Sequence, residues 1–189
     1  MLFGFIDSST LLLIIHLFGV VLGGGGAFAS DLIFMSAVKD KKISSTEMRF
    51  LRLGGKMVWL GLAILVISGV FIFFGDTENY LHSSKFLAKM TIVGIIIING
   101  LVFHAYHIPR LHRHINNHFP SSDEFIRNAP LLLGSGAISM VSWISAIILG
   151  SLRNIPYSYG VIMAIYSLVL AVALGLSLML KNKILFKKT

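Results

Sequence analysis

The sequence predicts an all-α integral membrane protein, a bundle of five transmembrane helices. Three observations carry that reading. Of 189 residues, 56% are hydrophobic and only 13% charged, against about 25% charged in an ordinary soluble domain. The mean hydropathy is +0.84. The apolar residues are also gathered into five runs, each long enough to cross a bilayer at about 1.5 Å per residue. Hydrocarbon offers no partner to an open backbone group, so each run must be helical. This composition excludes collagen-like chains, disordered tails and ordinary soluble enzymes. Cysteine is absent, which excludes disulfides, iron–sulfur clusters and thiolate-bound metals within the chain.

The first span is placed at about 9–36, with Asp7, Ser8 and Ser9 available to cap it. Leu11 to Leu22 resembles a signal-peptide core, and Ala27-Phe28-Ala29 a small-residue cleavage site. The preceding stretch has no basic residue and ends in an acid, so the run is read as a retained membrane helix. The second span is placed at about 57–74 and the third at about 86–108, with Pro109 expected to end or kink it. A histidine-rich loop is expected over 109–129. The fourth span, about 130–150, is expected to open after Asn128 at Pro130, and the fifth covers about 158–180. No repeat, low-complexity tract or linker divides the chain, so 1–189 reads as one domain.

The net charge of +8 is first a statement about topology. Thirteen of the sixteen basic residues fall on one side: Lys39, Lys41, Lys42, Arg49, Arg52 and Lys56 before the second span, Arg110, Arg113 and Arg127 between the third and fourth, and Lys181, Lys183, Lys187 and Lys188 in the tail. The other side holds Asp7, Asp76, Glu78, Lys85 and Arg153. The positive-inside rule then puts the amino terminus outside and the carboxyl terminus in the cytoplasm, with a bacterial inner membrane as the expected setting. Lipid headgroups are the secondary partner of these charges. Nucleic acid is not expected, because no basic groove with interleaved aromatics is present.

Polar and ionisable groups inside hydrocarbon are costly and usually face a bundle interior or a cavity, so they are the functional candidates. They are His16, Asp31, Lys89, Asn99, His104 and His107. His16 lies about 13 Å in from the outer end of the first helix, and Lys89 enters from the same side. Asp31, His104 and His107 lie toward the inner end. Depth alone therefore defines two polar layers. An intramembrane histidine admits haem ligation, transition-metal binding, proton relay or a plain interhelical hydrogen bond. Gly23-Gly24-Gly25-Gly26 strips side chains from the first helix, which suits close approach of another helix or of a flat ligand; Gly134, Ser135, Gly136 and Ser139 read the same way in the fourth. Asp31 is expected to balance Arg52, Lys56 or His104, with a proton relay including Asn99 as the sharper alternative.

His16 with the glycine-rich stretch and the polar Asp31, the run Lys85-Phe-Leu-Ala-Lys89-Met-Thr-Ile-Val, and Phe125-Ile-Arg-Asn-Ala-Pro130 together resemble the small membrane proteins related to HemJ-type protoporphyrinogen oxidases and CopD-type copper-resistance proteins. The resemblance covers most of the first four spans. In the HemJ-type branch it implies a helical bundle binding haem b, with the first-span histidine and third-span lysine as the functional positions, matched here by His16 and Lys89. The chain departs from that pattern in having Gly19-Val20-Val21 where an aromatic residue follows the histidine, and Asp31 where a basic residue stands.

A porphyrin is flat and apolar with two propionates. It needs a slot between helices, an axial nitrogen, and cations near the membrane edge. His16 is the expected axial ligand. Lys89 is expected either at the opposite axial position, as a neutral amine, or at a propionate. His104 and His107 are chemically easier ligands, but His104 lies about 22 Å further along the third span than Lys89. Their expected role is a second, inner ligand set or a proton-relay pair. In the expected segment 104–118, His114 and His118 share a helical spacing, and Asp123 or Glu124 could add oxygen to a cytoplasmic metal site. The copper alternative expects paired thioethers, whereas Met35, Met57, Met90, Met140, Met163 and Met179 are scattered and read as packing residues. The expectation is a haem b protein of electron transfer or porphyrin metabolism; a metal or solute transporter and a non-enzymatic accessory subunit stay open, as does homo-oligomerisation.

Overall fold

A computed structural model describes residues 7–39, 43–113, 115, 123–153 and 155–185. The elements are α1 (Ser8–Lys39), α2 (Ser45–Gly75), a short α3 (Thr77–Leu81), α4 (Ser84–Val102), a π-turn (Phe103–His107), α5 (Ile108–Arg113), α6 (Asp123–Ser151) and α7 (Tyr159–Leu185). Counting α4, the π-turn and α5 as one rod, five helices are long and apolar enough to cross a membrane.

The helix starts follow local chemistry. Asp7 Oδ1 accepts the Thr10 amide at 2.7 Å and opens α1. Ser44 and Glu47 form a reciprocal capping box at the head of α2: the Glu47 amide donates to Ser44 Oγ at 3.1 Å and the Ser44 amide to Glu47 Oε2 at 2.7 Å. Ser83 Oγ accepts the Phe86 amide and opens α4. At the same end, Lys85 Nζ donates to the carbonyls of Leu152 and Arg153 at 2.7 and 3.2 Å, where a cation meets the orphan acceptors that follow α6.

Three expected boundaries are corrected. The second helix begins at Ser45 rather than about 57, so Arg49, Arg52 and Lys56 ride on its first turns instead of a loop; hydropathy registers the apolar part of a helix and not its capped polar beginning. Pro109 does not end the third span, which continues to Arg113. The wider turn at Phe103–His107, where the Ile108 amide donates to the Phe103 carbonyl, loosens the helix just before the proline ring. The fourth helix starts at Asp123 and contains Pro130, so the expected loop 109–129 is helical at both ends. Between those ends, Ile115 pairs with Ile43 in an isolated parallel bridge that ties the α1–α2 and α5–α6 connections together.

The helices pack as two bodies. The α1–α2 hairpin is the closest pairing, and its seam is glycine: a Cβ on Gly61 would collide with the backbone of Gly23 and lie 2.7 Å from the Gly19 carbonyl, and one on Gly26 would lie 2.9 Å from the Gly54 carbonyl. Ser30 Oγ bonds the Gly26 carbonyl at 2.8 Å, which keeps the hydroxyl satisfied at that contact. The second body is α4 with α6 and α7, joined by Ser142 Oγ and Tyr166 Oη at 2.9 Å and by Thr91 Oγ1 and Tyr159 Oη at 3.2 Å. The two bodies meet along a cleft largely filled by a shared apolar cluster, and His16, Lys89, Asp31, Asn99 and His104 lie along it.

Candidate functional site in the interhelical cleft

At the end where α1 begins, the outer end in the expected topology, the structure brings His16 and Lys89 together, 73 residues apart in sequence. Nζ of Lys89 lies 3.4 Å from Nε2 of His16. The other ring nitrogen, Nδ1, lies 2.9 Å from Ser68 Oγ, and Ser68 is itself 1% exposed. The hydroxyl proton of Ser68 is directed at the Ile64 carbonyl, 2.6 Å away. Its oxygen must therefore accept from His16, which puts the imidazole proton on Nδ1 and leaves the Nε2 lone pair bare. An imidazole held by its far nitrogen with the near one free is the arrangement in which histidine binds metals. Lys89 stands in front of that lone pair and can donate to it.

Small residues surround the pair. A Cβ on Gly69 of α2 would lie 3.7 Å from His16 Cε1, and one on Gly150 of α6 would lie 3.7 Å from Lys89 Nζ. Thus α1, α2, α4 and α6 converge on the two nitrogens. Ser68, Gly69 and Gly150 escape a reading by charge or motif; their only sequence signal is a run of small residues inside an apolar stretch.

At the inner end a cavity of about 80 Å³ is lined by Asp31 and Ser30 on α1, Arg52 on α2, Asn99 on α4, His104 in the π-turn, and Ser135 and Ser139 on α6. Asn99 is satisfied: its Nδ2 donates to the Ser135 carbonyl at 3.0 Å and its Oδ1 accepts from Ser135 Oγ at 2.9 Å. Asp31 is not, since Oδ2 is buried and has no hydrogen-bond partner among the described residues. The expected balance of Asp31 by a hydrogen bond from Arg52, Lys56 or His104 is therefore not formed at this oxygen, although Arg52 and His104 line the same cavity. His104 is exposed at the edge of the cavity. His107 is 3% exposed and packs its ring 5.6 Å from that of Phe103, a residue of the cavity wall, but is not itself part of the lining.

Between the layers the cleft is apolar on all four helices. Gly23 and Gly24 on α1, Leu62 on α2, Ile92 and Ile96 on α4, and Trp143 and Ala146 on α6 occupy the intervening positions. The Trp143 ring, 2% exposed, lies directly on Gly23 and Gly24. Close approach and a tryptophan thus use the space that the glycine run was expected to open for a helix or a flat ligand. His16 and Asp31, 15 residues apart on one helix, are separated by roughly 22 Å of rise with this plug between them.

The test of a haem against these residues gives a divided answer by position and a favourable one by chemistry. The glycine run is filled, and the inner cavity is far below the several hundred Å³ of ordinary cofactor pockets. The residues at the outer end are of the type that holds an iron porphyrin, an imidazole oriented by its far nitrogen and an amine beside it, with glycines next to both; Lys89 stands against Nε2 and must swing aside for iron to bind there.

Among the described residues no group of three or more His, Asp or Glu side chains is placed to hold a metal ion. His114 and His118 lie outside the described residues, as do the side chains of Asp123 and Glu124, so the expected cytoplasmic metal site falls there. No family model matches the chain, and no curated protein and no solved structure is significantly similar to it.

Proposed function

We propose that this integral membrane protein sits in a bacterial inner membrane, amino terminus outside and carboxyl terminus cytoplasmic, and binds haem b at its outer polar layer for electron transfer or porphyrin metabolism. The observation that carries the reading is the Ser68–His16–Lys89 relay, in which a buried hydroxyl fixes the imidazole tautomer and aims Nε2 at a neighbouring nitrogen. His16 would hold the iron. Lys89 would hold the opposite position or a propionate. The haem, when bound, supplies one-electron chemistry, and the protein sets its potential by ligation and burial. The resemblance to HemJ-type proteins extends the proposal to porphyrinogen oxidation. The sidedness rests on the basic residues clustered before and on α2 and beyond α4. The reading is tested by the oxidised and dithionite-reduced absorption spectra of the purified protein and its His16→Ala variant.

A second reading is favoured by a separate observation. Two polar layers separated by an apolar plug on four helices form the outline of a solute transporter, where polar sites at either face exchange through movement of one helical body against the other. Copper(I) is the weaker cargo for such a carrier, because no methionine lines the inner cavity.

A further inference from the structure

The inner cavity carries chemistry that the haem reading does not use. Among the described residues its one buried, unsatisfied side-chain group is Asp31 Oδ2. A carboxyl oxygen buried without a partner is unfavourable, so a ligand that supplies a donor or a positive charge would satisfy it. The walls say which. Arg52 and His104 belong to the lining but are both exposed; beside these and a few other polar groups the lining is mainly apolar, and it includes three aromatic residues, Trp59, Phe103 and Trp143, with Gly55, Gly100 and Gly136 leaving room between them. A bare inorganic cation wants six or more oxygens for calcium and near-octahedral oxygens for magnesium, and this wall does not offer them. An organic ammonium needs one carboxylate and aromatic faces. The size of about 80 Å³ exceeds the roughly 30 Å³ of one water and is well below the drug-sized range. Asn99 and Ser135 bond each other and hold their helices in place.

We propose that the cavity binds a small alkylammonium ion, with Asp31 as its counter-ion and the aromatic walls around its apolar part. This site is separate from the His16–Lys89 pair and stands whether or not that pair holds a haem.

The chain reports on the site directly, because it contains only two tryptophans and both, Trp59 and Trp143, line the cavity. The experiment is a titration of the full-length protein in detergent with methylammonium chloride, read by tryptophan emission, against sodium chloride at equal ionic strength. At pH 8.5 an alkylamine with a lysine-like pKa of about 10.4 is still charged. The expected result is a saturable change with methylammonium, absent with sodium, and weakened at least about tenfold in Asp31→Asn, the size of effect that loss of a charge-assisted hydrogen bond produces. Ser139→Leu, which keeps the carboxylate and narrows the cavity, should weaken it comparably. An unsaturable response, an equal response to sodium, or undiminished binding by Asp31→Asn would each overturn the proposal.

Discussion

Lys89 Nζ lies 3.4 Å from His16 Nε2, joining the α1–α2 hairpin to α4 across the cleft at its outer end. The contact is polar, intramembrane and made between two bodies that otherwise meet through apolar side chains. Its geometry depends on Ser68, which receives the Nδ1 proton because its own proton is committed to the Ile64 carbonyl.

Ser68→Ala should release that tautomer. The imidazole loses its acceptor inside a site where Ser68 is 1% exposed, a cost of about 1–3 kcal/mol. The expected outcome is weaker or shifted haem absorption at unchanged expression, measured as chromophore per protein. A spectrum identical to wild type would separate Ser68 from the site.

Gly61→Leu should part the α1–α2 hairpin, since even a Cβ there collides with Gly23. Gly25→Ala is the control, because a Cβ at Gly25 meets nothing within 4 Å and alanine favours a helix over glycine by about 1 kcal/mol. Thermal unfolding in detergent should show a large drop in Tm for the first and no drop for the second.

Trp143→Ala should cost about 3–5 kcal/mol, as for other buried aromatic truncations, and should open the plug between the layers. The check is twofold: a lower Tm, and faster labelling by a small aqueous thiol reagent of a single cysteine placed at Ala146 in an otherwise cysteine-free chain. Unchanged labelling despite the lost stability would show that the plug does not depend on this ring.

Asp7 makes the start of α1 pH-dependent. The hydrogen bonds from Thr10 to its carboxylate hold its pKa below the ordinary value. A depressed carboxyl stabilises the fold above its unfolded pKa, near 3.9, and that stabilisation is lost as pH falls through the lower folded value. Amide exchange at Thr10 should therefore be faster in Asp7→Ala than in wild type at neutral pH. The difference should vanish in strong acid.

Much of the fold was legible because hydrocarbon imposes length and apolarity on every span, and the five runs stand within the five long helices. The polar layers were legible in part: counting about 1.5 Å per residue put His16 near Lys89 and Asp31 with His104 and His107; the first two meet at 3.4 Å, and Asp31 and His104 share a cavity whose lining leaves His107 out. What escaped was structure without a hydropathy signature. The polar start of α2 at Ser45 depends on a capping box, and the path of α5 past Pro109 depends on a π-turn that no residue type announces. Ser68 looks like filler in an apolar run until its two hydrogen bonds are seen. Trp143 reads as core, and only the packing shows it seated on the glycines.

The account rests most heavily on His16 as an iron ligand, and the absorption spectrum of protein purified from haem-replete cells tests it directly. It predicts a Soret band with α and β bands that sharpen on dithionite reduction, largely lost in His16→Ala and altered in Lys89→Ala. A protein without chromophore, or a spectrum that His16→Ala leaves intact, would contradict it.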